Sequence, residues 1–75
     1  MEFNKLVSTK DIGLLIKTTR KAQGVTQEQL AGVANTGIRF ISDLENGKPT
    51  AEIGKTIEVI NLLGLDILVE ARGDE

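Results

Sequence analysis

The stretch Thr26–Gly47, TQEQLAGVANTGIRFISDLENG, holds two short helical patterns on either side of a tight turn, and the 75-residue chain is organised around it. Thr26 followed three residues later by Gln29 is a capping box, which satisfies orphan amide donors at a helix start. Leu30, Ala31 and Ala34 then form a short inward face. Asn35-Thr36-Gly37 makes the turn, with Asn and Gly the residues that best tolerate positive φ. A second helix is expected from Ile38 to Asn46, with Ile41 and Leu44 pointing inward. Arg39, Ser42, Asp43 and Asn46 fall at i, i+3, i+4 and i+7 on its opposite face. That compact polar face has the chemistry needed in a DNA major groove, where base edges offer donors and acceptors to Arg and short polar side chains.

Upstream, residues 1–8 read as an arm or short strand carrying Phe3, Leu6 and Val7. Ser8 with Asp11 forms a second capping box. Ile12, Leu15, Ile16 and Thr19 then recur at helical spacing until Gly24, which predicts a helix over 9–23. Lys17, Arg20 and Lys21 flank it. The two lysines read either as phosphate ligands or as solvated charges, the solvated reading being the simpler, and Lys17 is retained as a phosphate candidate. Downstream, Gly47-Lys48-Pro49-Thr50 is a stop, with Thr50 a cap candidate for the next helix. Ile53, Ile57, Ile60 and Leu63, with Thr56 and Val59 beside them, predict a last helix buried along one side and ending at Gly64. Residues 65–71 switch to period two, the pattern of a half-buried strand. A lone strand needs a partner. The same strand of a second copy is the first choice, through Leu65, Ile67, Leu68 and Val69, and the arm around Lys5 to Val7 is the second. Residues 72–75 are expected to fray.

One domain over residues 9–64 with a marginal core follows from this length. With no Cys and no His, disulfide staples and thiolate or imidazole metal sites are excluded, so association is the remaining support. No apolar run approaches the roughly 20 residues that span a bilayer, and MEFNKLVSTK lacks a signal-peptide core; a cytoplasmic, nucleoid-associated protein without membrane contact is expected. The net charge of −2 is unevenly distributed: residues 1–48 hold seven Lys/Arg against five Asp/Glu, and residues 49–75 hold two against six. A mildly basic front and an acidic back suit DNA on one side and another partner on the other, although an ordinary mixed surface fits the same numbers. Lack of His, Cys and Tyr, scattered acids and the absence of a Gly-rich phosphate loop after a strand argue against an enzyme, and no cofactor or metal is expected.

Arg20, the Thr26-Gln27 opening, Leu30-Ala31 and the ending Ile41-Ser42-x-Leu44-Glu45-Asn46-Gly47 resemble the lambda-repressor-like (Xre-type) helix-turn-helix family over about two thirds of the chain. The layout, one such domain followed by a strand, with the phrase RFISDLENGKPT, looks most like the HipB-like antitoxins. The resemblance implies an all-α, four- to five-helix DNA-binding domain with a short C-terminal dimerisation strand. It also implies a sequence-specific transcriptional repressor, the antitoxin of a type II toxin–antitoxin operon that binds a HipA-like serine/threonine kinase toxin. A free-standing or phage-type repressor, or a helical partner-binding domain without DNA affinity, are the alternatives.

By the same resemblance, Gly37, Ile38, Arg39, Ser42 and Asp43 are the base-reading positions. Gln27, Asn46 and Lys48 are its phosphate positions, to which Thr26 and Lys17 are added as neighbouring candidates, and Arg20 with Glu45 is a structural ion pair. Arg39 could fork onto guanine, and Ile38 could touch a thymine methyl. A homodimer would present two such helices to an inverted repeat on double-stranded DNA. Asn35 stands where the family often has Gly, and Gly37 where a hydroxyl residue is common.

Overall fold

In a computed structural model that describes residues 4–73, four helices form the fold: α1 (Thr9–Ala22), α2 (Gln27–Val33), α3 (Ile38–Glu45) and α4 (Ile53–Leu62). Their starts are where side-chain oxygens meet orphan amides. Ser8 Oγ accepts from the Asp11 N–H, while the Asp11 carboxylate accepts from the N–H groups of Val7 and Ser8. Thr26 and Gln29 exchange the same pair of bonds at α2. At α4 the cap is Glu52 rather than the expected Thr50. Its two carboxylate oxygens accept from the Gly54 and Lys55 N–H groups at 2.8 Å each. A charged acceptor at the positive end of the helix outcompetes a hydroxyl two residues upstream.

All four helices end in the same way. The residue after each cap, Gly24, Asn35, Gly47 and Gly64, has positive φ. Its amide and the next one bond back to the last helical turn: Gly24 to Lys21 O and Val25 to Arg20 O, Asn35 to Gly32 O and Thr36 to Ala31 O. Likewise Gly47 bonds to Leu44 O and Lys48 to Asp43 O, and Gly64 to Asn61 O and Leu65 to Ile60 O. This repeated Schellman closure lets each helix stop sharply without help from its neighbours. Asn35, at φ 56°, occupies the left-handed position itself, so the turn between α2 and α3 needs no glycine at 37.

The core joins Ile16 of α1, Leu30, Ala31 and Ala34 from α2 and its cap, Ile41 and Leu44 of α3, and Val59, Ile60 and Leu63 from α4 and its cap. Ile12, Val25, Phe40, Ala51 and Leu65 close its edges. Polar side chains also bind α4 to the other helices: Lys55 Nζ donates to Ala34 O at the end of α2, and Gln23 Nε2 donates to Leu63 O.

Two expectations are corrected. The buried side of α4 is Thr56, Val59, Ile60 and Leu63, whereas Ile53 is 73% and Ile57 41% exposed. Both lie on one flank of the buried stripe, outside the part of α4 that packs into the core. The strand expected over 65–71 is not formed: among the described residues there is no strand at all. Leu65 packs against the core, but Ile67, Leu68 and Val69 are exposed, Val69 by 94%. A ladder requires a second strand, and among the described residues the arm forms none; the Val7 amide is committed to Asp11. Phe3 of the arm and the last two residues of the tail lie outside the described residues.

Candidate nucleic-acid interface

The reading face of α3 is built by its buried face. Ile41 and Leu44 are sunk into the core, which leaves Ile38, Arg39 and Asn46 exposed, and Ser42 and Asp43 half-buried, on the outside. Gly37 is the N-cap of α3. It has extended backbone, no side-chain cap bond and open space around its missing side chain. The first turn of α3 is therefore accessible from outside.

What fixes α3 in place lies at its other end. Glu45, its last residue, has a side chain 2% exposed and forks onto Arg20 of α1: Arg20 Nε donates to Oε2 at 2.6 Å and Nη2 to Oε1 at 3.0 Å. Arg20 Nη1 spans to Val25 O at 2.8 Å, and Gln27 Nε2 of α2 donates to Glu45 Oε1 at 3.0 Å. One carboxylate thus joins three helices, and among the described residues no buried side-chain polar atom is left unpaired. Burial pushes the Glu45 carboxyl up. The hydrogen bonds from Arg20 and Gln27, with the charges of Arg20 and Lys17, outweigh this and hold it below its ordinary value. The hydrogen bond to Glu45 raises Arg20 further against the opposing effect of burial. The ion pair expected between these two residues is therefore present in a bidentate form.

A second lock was not anticipated. A Cβ placed on Gly13, in the middle of α1, would run into the Leu44 carbonyl oxygen and come within 2.8 Å of the Glu45 carbonyl oxygen. Backbone meets backbone there, and Thr9 Oγ1 adds a bond to Gly47 O at 2.8 Å. The available signal was a glycine inside a helical pattern, where it costs about 1 kcal/mol unless something needs the space.

The other candidates surround this clamp. Gln27 is held by Glu45 through one amide proton and keeps a second for an outside acceptor. Thr26 caps α2 from an exposed position, and Lys17 is exposed beside Glu45. Lys48 and Asp43, expected on phosphate and base respectively, lie 3.5 Å apart at the surface. The lysine offsets a carboxylate that would otherwise repel phosphates. Leu65, Ile67, Leu68 and Val69 follow α4 in the chain.

Two helices joined by a sharp turn, with the second presenting an outward face led by Ile38 and Arg39 and pinned at its far end, define a DNA-reading module. Residues 16–68 match the family described as helix-turn-helix. The chain belongs to that family, in its Xre-type form, and is a DNA-binding transcriptional regulator rather than an enzyme.

A protein of Sinorhizobium fredii, described as "Uncharacterized HTH-type transcriptional regulator y4mF", is 49% identical over 70 residues, spanning 93% of this chain and 92% of that protein. Among solved structures, a "HipB-O4 20mer complex" is 25% identical with a TM-score of 0.82, covering 93% of this chain and all of that one. A "HipA-HipB-O2-O3 complex" shares the fold at 23% identity and a TM-score of 0.84, covering 92% and 97%. Among the described residues no helix is long and apolar enough to cross a membrane.

Proposed function

We propose that the chain is a repressor that acts as a homodimer, placing α3 of each copy in major grooves about 34 Å apart on an inverted repeat. The observation that carries this is the pairing of an outward Ile38–Arg39–Ser42–Asp43 face, exposed at Ile38 and Arg39 and half-buried at Ser42 and Asp43, with a reader helix clamped by Arg20 and Glu45. Arg39 reads guanine, Ile38 reads a thymine methyl, and Gly37 lets the backbone approach the bases. Gln27, Thr26, Asn46, Lys48 and Lys17 take phosphates. A labelled duplex from the region upstream of the protein's own gene, titrated beside a random duplex, should bind more tightly and with strong salt dependence. Equal, salt-insensitive binding to both would overturn the reading.

Dimerisation is assigned to residues 65–71, whose exposed Ile67, Leu68 and Val69 and whose backbone, unbonded from residue 66 to 71 among the described residues, need a partner. Deleting residues 65–75 should give a monomer by mass in solution, and a surviving dimer would place the interface elsewhere. The finer reading is that of an antitoxin that also binds a HipA-like serine/threonine kinase. It is supported by the likeness of fold to HipB, which one solved structure holds together with HipA. Coexpression with the neighbouring gene should yield a stable complex, and its absence removes the antitoxin role.

A further inference from the structure

The three lysines of α1 recur at i, i+7 and i+11: Lys10, Lys17 and Lys21. At about 3.6 residues per turn they share a stripe about 40° wide and roughly 16 Å long. All three are exposed, and none pairs with a carboxylate among the described residues. Asp11, the acid of α1, lies on another face and is used in the capping box.

The stripe borders the row Gly13–Arg20 through which α1 meets α3. Its position relative to the interface is fixed by contacts at each point. Lys10 lies against Gly47, whose added Cβ would come within 2.9 Å of the Lys10 Cα, next to Asn46 and Lys48. Lys17 lies on α1 one turn from both Gly13, which abuts the Leu44 and Glu45 carbonyls, and Arg20, which grips Glu45. Lys21 stands at the end of α1, where its carbonyl accepts from Gly24 just before Thr26. The lysines therefore run alongside the residues assigned to phosphates, from the end of α3 to the start of α2.

Helix stability does not account for the row as a whole. A cation in the last turn, as at Lys21, complements the helix dipole, but Lys10 sits in the first turn, where the dipole opposes it. We infer that the α1 stripe Lys10–Lys17–Lys21 is a row of DNA-phosphate ligands flanking the reader helix, which adds sequence-independent affinity to a chain whose net charge is negative. This rests on the DNA-binding reading above.

The test uses the full chain, with a random-sequence duplex and an upstream-region duplex, each titrated by anisotropy between about 50 and 200 mM salt, the range over which phosphate contacts dominate. Lys10→Gln, Lys17→Gln and Lys21→Gln should each reduce the slope of log K against log salt by about 0.9 per bound copy, about 1.8 for the dimer, and the triple variant by about 2.7 per copy, about 5.4 for the dimer. Both duplexes should lose affinity by the same factor, because phosphates carry no sequence. Arg72→Gln, which makes the same change of charge on the exposed tail, is the control. A triple variant with the slope of that control overturns the inference, as does a loss confined to one duplex. If the unsubstituted protein binds both duplexes without salt dependence, the regulator reading fails first; a steep wild-type slope that the lysine variants leave intact removes the stripe alone.

Discussion

Replacing Arg20 by Ala removes both bonds that the guanidinium makes to Glu45 and the one it makes to Val25 O. Glu45 is left as a carboxylate 2% exposed with only Gln27 to satisfy it. Breaking a buried pair from one side costs about 3–5 kcal/mol. A domain of this length has roughly 4–11 kcal/mol of stability in all. Taking about 3 kcal/mol, the melting temperature should fall by about 12–24 °C, followed by circular dichroism at one fixed protein concentration near pH 7.

The pH dependence adds a second reading with a definite sign. In the native protein Glu45 titrates below its ordinary 4.5, so its stabilisation is complete above that value and is lost as pH falls through the lowered one. In the Arg20→Ala protein burial dominates and pushes the same carboxyl up, so protonation relieves the variant as pH falls. The gap between the two proteins should therefore narrow from pH 7 toward pH 4. Arg20 itself is raised above its ordinary, already strongly basic value and contributes nothing to the change in that window. A loss below about 1 kcal/mol, or a gap that stays constant with pH, would refute a buried, charge-based clamp.

Gly13→Ala should destabilise despite the gain in helix propensity, by about 1–3 kcal/mol, because the methyl meets backbone carbonyls that cannot swing away; chemical denaturation reads it, and a stabilised variant would deny the close approach. Glu52→Ala should cost about 1 kcal/mol in the same assay, since two amides of α4 lose their acceptor, and Thr50→Ala should cost less. Arg39→Ala should relax sequence preference at one operator position by about 1–3 kcal/mol while leaving the melting temperature within error, as competition binding on single-base variants would reveal.

The order of helices was legible because local signals agreed: Ser8/Asp11 and Thr26/Gln29 are reciprocal caps, and Gly24, Gly47 and Gly64 fall just past the last periodic residue. The Arg20–Glu45 clamp was legible only through a family pattern, since no periodicity links residues 25 apart. Three features resisted the sequence for physical reasons. Ile53 and Ile57 are apolar at helical spacing, and spacing alone does not say which flank of a stripe meets a neighbour. The alternation after Gly64 is a strand pattern, but a strand is a relation between two segments, and a single chain supplies one. Gln27 reads in the sequence as facing outward, although a donor beside a buried carboxylate is drawn to it, and only the third dimension places Glu45 there.

The clamp grips α3 by its last residue, Glu45, and among the described residues none of the side-chain hydrogen bonds that hold the fold uses Ile38, Arg39 or Ser42. These positions are thus an interchangeable cassette on a fixed mount. New base preferences can be installed there by drift or by design without reopening the question of whether the protein folds, and the limit on retargeting is set by Asp43, whose exchange would also release Lys48.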